Sequence, residues 1–317
     1  MRAQKGGLLC SAVLAAGLTF QLSPAFAAGE KILINFQTLS IPYFIYMHEQ
    51  ASQEAKALNV KLLVQDAQSS STKQSSDVEN ALTQGVDAMV VAPNDVTALA
   101  PALNEVLSEK VPLVTVDRRV EGTDAPVPYV TADSVAGGRL MAELVTSNMK
   151  DGARVAFIGG TPGSSTAIDR AKGVHDGLKA GGEKFQLVAE QSGEWERAKA
   201  MSVAENILTS LSANPPDAII CASGDMALGA AEAVRAMGLK GKVKVIGFDA
   251  YPEVLRAIRD GDIAGIVEQS PSKQIRTALR MAVKKVRGEA ELETVIVQPF
   301  MVTQENLSQA EQYSAIQ

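Results

Sequence analysis

Residues 111–119 read VPLVTVDRR, and residues 243–251 read VKVIGFDAY. Each is a short apolar run that stops on an aspartate, Asp117 in the first and Asp249 in the second. A second pair precedes them in the same order: DAMVVAPNDVTAL at 87–99 and DAIICASGDMALG at 217–229. The offsets are 132 and 130 positions. Any two buried strands share an apolar run. Two matches in order at nearly one offset favour a chain built from two similar lobes.

Working outward, short apolar segments alternate with amphipathic stretches from residue 30 to about 298. The strand candidates are KILINF (31–36), KLLVQ (61–65), DAMVVA (87–92), PLVTV (112–116), RVAFIG (154–159), FQLVAE (185–190), DAIICA (217–222), VKVIGF (243–248) and AGIVEQ (264–269). Helical patterns such as ALAPALNEVLSEK and GAAEAVRAMGLKG lie between them, the latter ending on glycines as helices often do. Strands apolar on both faces and separated by helices imply an α/β fold, with doubly wound parallel sheets covered on both sides. Ligands of such sheets bind beyond the carboxyl ends of the strands. Two lobes facing each other would line a cleft with those ends, placing Asp117 and Arg118 on one wall and Asp249 on the other.

A length of 317 residues suits two lobes better than one small core. The first 27 residues read as an export signal: Arg2 and Lys5, then the apolar run GLLCSAVLAAGLTF, then the small-x-small site AFA, with cleavage expected after Ala27. Losing Arg2 and Lys5 leaves 28 basic against 36 acidic side chains, a net charge of −8 in the mature chain. An acidic exported protein is a poor candidate for nucleic acid, whose phosphates need a basic face. Cys10 leaves with the signal, so Cys221 stands alone and no intramolecular disulfide is expected. Its place at the end of DAIICA is that of a small core residue.

Little in the sequence supports bond-making chemistry. His48 and His175 are far apart within helical patterns, and no His/Cys cluster has metal-ligand spacing. GGTPGSST at 159–166 lacks the order of a nucleophile elbow and the Lys-Ser/Thr ending of a phosphate loop, and reads as a plain strand-to-helix turn. No catalytic residue, metal or cofactor is called for. Asp117 and Asp249 could in principle act as an acid–base pair on a sugar. The competing reading makes both of them acceptors for ligand hydroxyls. Arg118 beside Asp117 favours the second, because a neighbouring cation favours the ionised carboxylate.

Aromatic residues are only 4% of the chain, which makes their placement informative. Tyr43 and Phe44 follow Pro42 just after the first strand, and Trp195, the sole tryptophan, follows another. Flat apolar faces with Asp and Arg between them suit a polyhydroxylated ring, whose C–H faces stack while its hydroxyls bond to charged groups. Tyr43 and Phe44 could instead be a helix-start staple, and Trp195 an exposed helix start.

The segments TLSIPYF, DAMVVAPND, TVDRRV, ADSVAGGRLMAELV, DRAKGVHDGL, GDMALGAAEAVRAMG and VIGFDAYPEVL, spread over nearly all of 30–300, together resemble the periplasmic sugar-binding proteins of the ribose- and galactose-binding group. RAKGVHDGLKAGG, NILTSL and VKVIGFDAYPE look most like the inositol-binding branch. The resemblance implies a solute-binding component of a bacterial ABC importer, with the type I periplasmic fold and no enzymatic activity. It implies a signal peptide over 1–27, one lobe of 28–131 plus 270–297 and a second of 132–269 plus 298–317, joined by three crossings. Matched position by position, Tyr43 and Phe44 are the first lobe's aromatic pair, Asp117 and Arg118 its Asp-Arg, Arg170 the second lobe's arginine, and Trp195 the stacking ring opposite. Asp249 and Gln269 match the remaining polar contacts. Arg119 matches none and is expected to be solvated or salt-bridged. Ribose binders carry asparagines where this chain has Ile41, Ala92 and Ser223, so specificity should be redirected; Gln37, at the end of the first strand, and Ser223 are candidates to make up part of the loss. The expected ligand is a small neutral sugar or polyol (pentose, tetritol, hexose or cyclitol). Expected partners are the permease subunits of the importer, with a chemoreceptor or sensor kinase as the sensory alternative, and the protein is expected to be a periplasmic monomer.

Overall fold

A computed structural model describes residues 29–149, 151–182 and 185–317; the export-signal segment lies outside the described residues. Twelve strands follow in chain order: β1 (Lys31–Phe36), β2 (Lys61–Asp66), β3 (Ala88–Val91), β4 (Leu113–Val116), β5 (Tyr129–Ala132), β6 (Arg154–Gly159), β7 (Gln186–Ser192), β8 (Ala218–Cys221), β9 (Lys244–Phe248), β10 (Gly265–Glu268), β11 (Val295–Val297) and β12 (Phe300–Val302). The helices between them are α1 (Pro42–Leu58), α2 (Ser71–Thr83), α3 (Ala100–Ser108), α4 (Ser134–Asn148), α5 (Ser165–Ala180), α6 (Arg197–Ser210), α7 (Gly224–Ala236), α8 (Pro252–Arg259) and α9 (Pro271–Val286).

The strands form two six-stranded sheets of matching order, β11-β5-β4-β3-β1-β2 and β12-β10-β9-β8-β6-β7. Every pairing is parallel except that of β12, which runs antiparallel to β10. The internal repeat is thereby visible in three dimensions: β3 corresponds to β8, and β4 to β9. Its Asp117 and Asp249 both leave their strands in the left-handed region, with φ of 64° and 76°, a conformation that aspartate tolerates better than most side chains.

All nine expected strands form, with ends within two residues of the expected ones. The expectation that strands are apolar and buried on both faces fails for β2 and β7. Both are edge strands with half-exposed residues, because only one neighbouring strand covers them. The short strands β5, β11 and β12 carry no apolar run long enough to announce them, and exist because each sheet needs a partner at that edge.

Helices cover both faces of each sheet. α9 packs on the first sheet and α4 on the second, so the chain changes sheet after β5, after β10 and between β11 and β12. The motifs VAGGRL and DRAKGVHDGL reflect close packing of α4 on α5. A Cβ on Gly138 would come within 2.4 Å of Arg170 O, and one on Gly173 within 2.1 Å of Val135 O. At the far side of the first lobe, buried Glu54 of α1 accepts from Arg276 at 2.8 Å and Arg280 at 2.6 Å of α9. Cys221 is buried and free, with its thiol pushed above the ordinary range by burial. No helix among the described residues is long and apolar enough to cross a membrane, and no group of three His, Cys, Asp or Glu among them could hold a metal ion.

Candidate functional site

The carboxyl ends of both sheets face one cleft, and the lobes meet across it. Val96 N donates to Gly163 O at 2.9 Å. Arg119 N donates to Ser165 Oγ at 3.1 Å, and the Arg119 guanidinium pairs with Asp169 across the cleft and with Glu121 beside it. The expected salt-bridged role of Arg119 is therefore the one it fills.

Inside lies a small cavity. From the first lobe it is lined by Tyr43, Phe44, Asp117 and Arg118. From the second it is lined by Arg170, Trp195, Ser223 and Asp249, and from the crossing after β10 by Gln269. Nine of the ten residues singled out from the sequence are thus brought to one cavity. The tenth, Gln37, lies outside it, in the adjoining mouth. Ile41, already marked as standing where ribose binders carry an asparagine, and Thr166, in the first turn of α5, also line the cavity; Thr166 was not singled out.

Local structure sets each side chain. Pro42 starts α1 at its first turn, where a missing N–H costs nothing. Tyr43 and Phe44 then turn inward, and Phe44 packs on Phe36 with ring centroids 5.9 Å apart. The pair therefore serves both core and cavity. Tyr43 Oη donates to Asp117 Oδ1 at 3.0 Å. Arg118 Nε stands 3.4 Å from Asp117 Oδ2, close enough for an ion pair though not aligned as a hydrogen bond. Its other end donates to the carbonyls of Pro93 and Asn94 at 3.3 and 3.2 Å.

The second wall repeats the scheme. Arg170 donates to Ala222 O at 2.8 Å and lies flat on Phe248, 3.6 Å from the ring centroid. The Nε groups of Arg118 and Arg170 are both buried without hydrogen-bond partners. Ser223 accepts from Met226 N and so caps α7, which leaves its hydroxyl proton to donate elsewhere. Gln269 Nε2 donates to Asp249 Oδ1. Burial raises the Asp249 carboxyl to about 6, against the opposing pull of Arg170 and the Gln269 bond.

Trp195 closes the arrangement. It sits in a left-handed conformation, φ 67°, directly after Glu194 at φ 53°. Consecutive non-glycine residues there store strain of the kind found at functional sites. A Cβ on Gly160 would stand 2.0 Å from the indole, so the glycine is what lets the ring lie down. Arg118 and Arg170 approach the indole ring at 5.6 and 5.7 Å, cation–π contacts contributed from both lobes. Two buried carboxylates, two buried guanidinium groups and three aromatic faces can bind a neutral, many-hydroxyl ring, accepting and donating in alternation.

The periplasmic binding protein domain matches residues 32–290. The ribose import binding protein of Bacillus subtilis (strain 168) is 33% identical over 264 residues, covering 83% of either chain. The crystal structure of the Caulobacter myo-inositol binding protein bound to myo-inositol superposes with a TM-score of 0.89 at 46% identity, covering 93% of this chain and 99% of that one. An ABC transporter periplasmic solute binding protein from Actinobacillus succinogenes 130z, with bound D-allose, gives 0.83 at 30% identity over 88% and 99%. Two repeated lobes, three crossings and a cleft lined from both sides agree with these matches: the chain belongs to the periplasmic binding protein family, among the type I sugar-binding proteins.

Proposed function

We propose that this protein is the solute-binding component of a bacterial ABC importer and that it captures a small neutral polyol, myo-inositol first among the candidates. The observation that carries the reading is the cavity itself. Asp117 with Arg118 faces Asp249 with Arg170, so the charges balance and a charged ligand gains nothing, while the aromatic faces suit a ring. The ring size is supported by the 46% identity to a chain that holds myo-inositol, and by Ile41, Ala92 and Ser223 standing where ribose binders carry amides.

In this reading residues 1–27 are a cleaved signal peptide and the mature monomer works in the periplasm. Its lobes comprise 28–131 plus 270–297 and 132–269 plus 298–317. The ligand bridges the two walls and so favours the closed form, which the permease recognises. Transport draws its energy from the importer's ATPase subunits. The sensory and enzymatic alternatives have no observation of their own in their favour.

The test is a thermal-shift panel of pentoses, hexoses, tetritols and inositols on the mature protein. A ligand at 100 times its Kd should add about 2.7 kcal/mol to stability. Myo-inositol is expected to give the largest shift. No response to any member would overturn the polyol reading, and a pentose ahead of every inositol would overturn the cyclitol assignment.

A further inference from the structure

The cleft holds a second space. Ile41 and Trp195, which line the central cavity, also line this second space, at the mouth of the cleft. Its lining is polar: Gln37, Ser40, Asn94 and Thr161, with the acids Glu194 and Glu196 at the rim. Gln37 is only 2% exposed, yet its Oε1 has no hydrogen-bond partner. Its Nε2 reaches no better than Ser69 Oγ at 3.4 Å. The indole Nε1 of Trp195, 7% exposed, is likewise buried and unpartnered. An orphaned buried acceptor or donor costs about 1–3 kcal/mol, and native proteins rarely keep one without use. Both residues line one hydroxyl-rich space, and a buried acceptor and donor without partners match what a second sugar ring would bring. The rim carboxylates disfavour a phosphate there, so the added unit is neutral.

We infer that the mouth is an outer subsite for a second, neutral hydroxylated ring joined to the first by a glycosidic oxygen, so that the protein also takes a cyclitol glycoside. This rests on the polyol reading above. The inner ring occupies the central cavity, the linking oxygen passes between Ile41 and Trp195, and the outer ring meets the Gln37 amide.

Calorimetric titration of the mature full-length protein with myo-inositol and with its neutral O-α-galactoside tests it. The galactoside is expected to bind within tenfold of myo-inositol or tighter. Gln37→Leu is expected to lower the affinity for galactoside relative to that for myo-inositol by about tenfold. If myo-inositol binds and the galactoside binds more than a hundredfold weaker, the outer subsite is overturned while the polyol reading stands. An unchanged affinity ratio in Gln37→Leu overturns the role given to Gln37, and with it the subsite. Failure of every polyol and glycoside to bind overturns both readings together.

Discussion

Arg118 shows what one side chain contributes here. It is 4% exposed, stacks between Phe44 and Trp195, and spends only part of its donor set on backbone carbonyls. Arg118→Ala should weaken polyol binding by several kcal/mol, because a charge-assisted bond in a closed cleft is lost and Asp117 is left unpaired. A loss below about tenfold, or 1.4 kcal/mol, measured by calorimetry would place Arg118 outside the ligand's reach. Asp249 makes a pH prediction. Its carboxyl titrates near 6 without ligand, and ligand hydroxyls that donate to it favour the ionised form. Binding should therefore release a proton around that pH, and affinity should drop as pH falls from 7.5 to 5. Equal dissociation constants at both ends of that range would refute the contact. Gly160→Ala should displace the indole that its Cβ would strike. Weaker binding and an altered Trp195 emission spectrum are expected in the ligand-free protein, with the far-ultraviolet circular dichroism unchanged. The aspartates, Arg118 and the aromatic rings were legible from the sequence because each follows a recognisable strand; Arg170, inside α5, was named only by the family resemblance. Gln37 was not correctly separable from them: it also ends a strand, and only the turn after it decides whether its amide enters the inner cavity or the mouth.

Among the elements, α9 is capped from the other side of the crossing. Ser270 has φ 54° and offers no side-chain cap. Glu268, at the end of β10, instead accepts from Ser270 N at 2.7 Å and Glu311 N at 3.1 Å, and Glu311 accepts from Ser272 N at 3.3 Å. Burial raises Glu268 to about 7 and also raises Glu311. The native state thus holds more protons than the unfolded chain between about pH 4.5 and 7, and stability should decline as pH rises through that window, by on the order of 3 kcal/mol for Glu268. Denaturant unfolding at pH 5.5, 6.5 and 7.5 checks this, with Glu268→Gln expected to flatten the slope. The same slope in both proteins would show that the carboxyl of Glu268 does not titrate there. None of this capping could be read in advance. The partners are separated by 39 and 43 positions, and EQSPS carries no cap signature of its own. Similarly, β11 and β12 span only three residues each and are strands because of the edges that receive them.

For the whole molecule, closure depends on contacts between lobes as well as on the ligand. The Arg119–Asp169 pair spans the cleft with each side chain about one-quarter exposed. Such a pair contributes modestly, about 0.2–1 kcal/mol. Asp169→Asn should therefore speed ligand release about two- to fivefold and leave the association rate nearly unchanged. Stopped-flow fluorescence of Trp195 reads both rates; a slower release than in the unmodified protein would show that the pair opposes closure.

The two-lobed α/β class follows from the residue pattern alone, because buried parallel strands must be apolar and their repetition at one offset is visible along the chain. The pattern also marks the chemistry of the site, since Asp117, Arg118 and Asp249 stand where buried apolar strands end. Folding in three dimensions sets which of those residues share a cavity, that Arg118 and Arg170 both approach the Trp195 ring, and that Gln37 stands in the mouth. Those outcomes depend on loop conformation and on the angle between lobes, which arise from contacts between residues far apart in the chain.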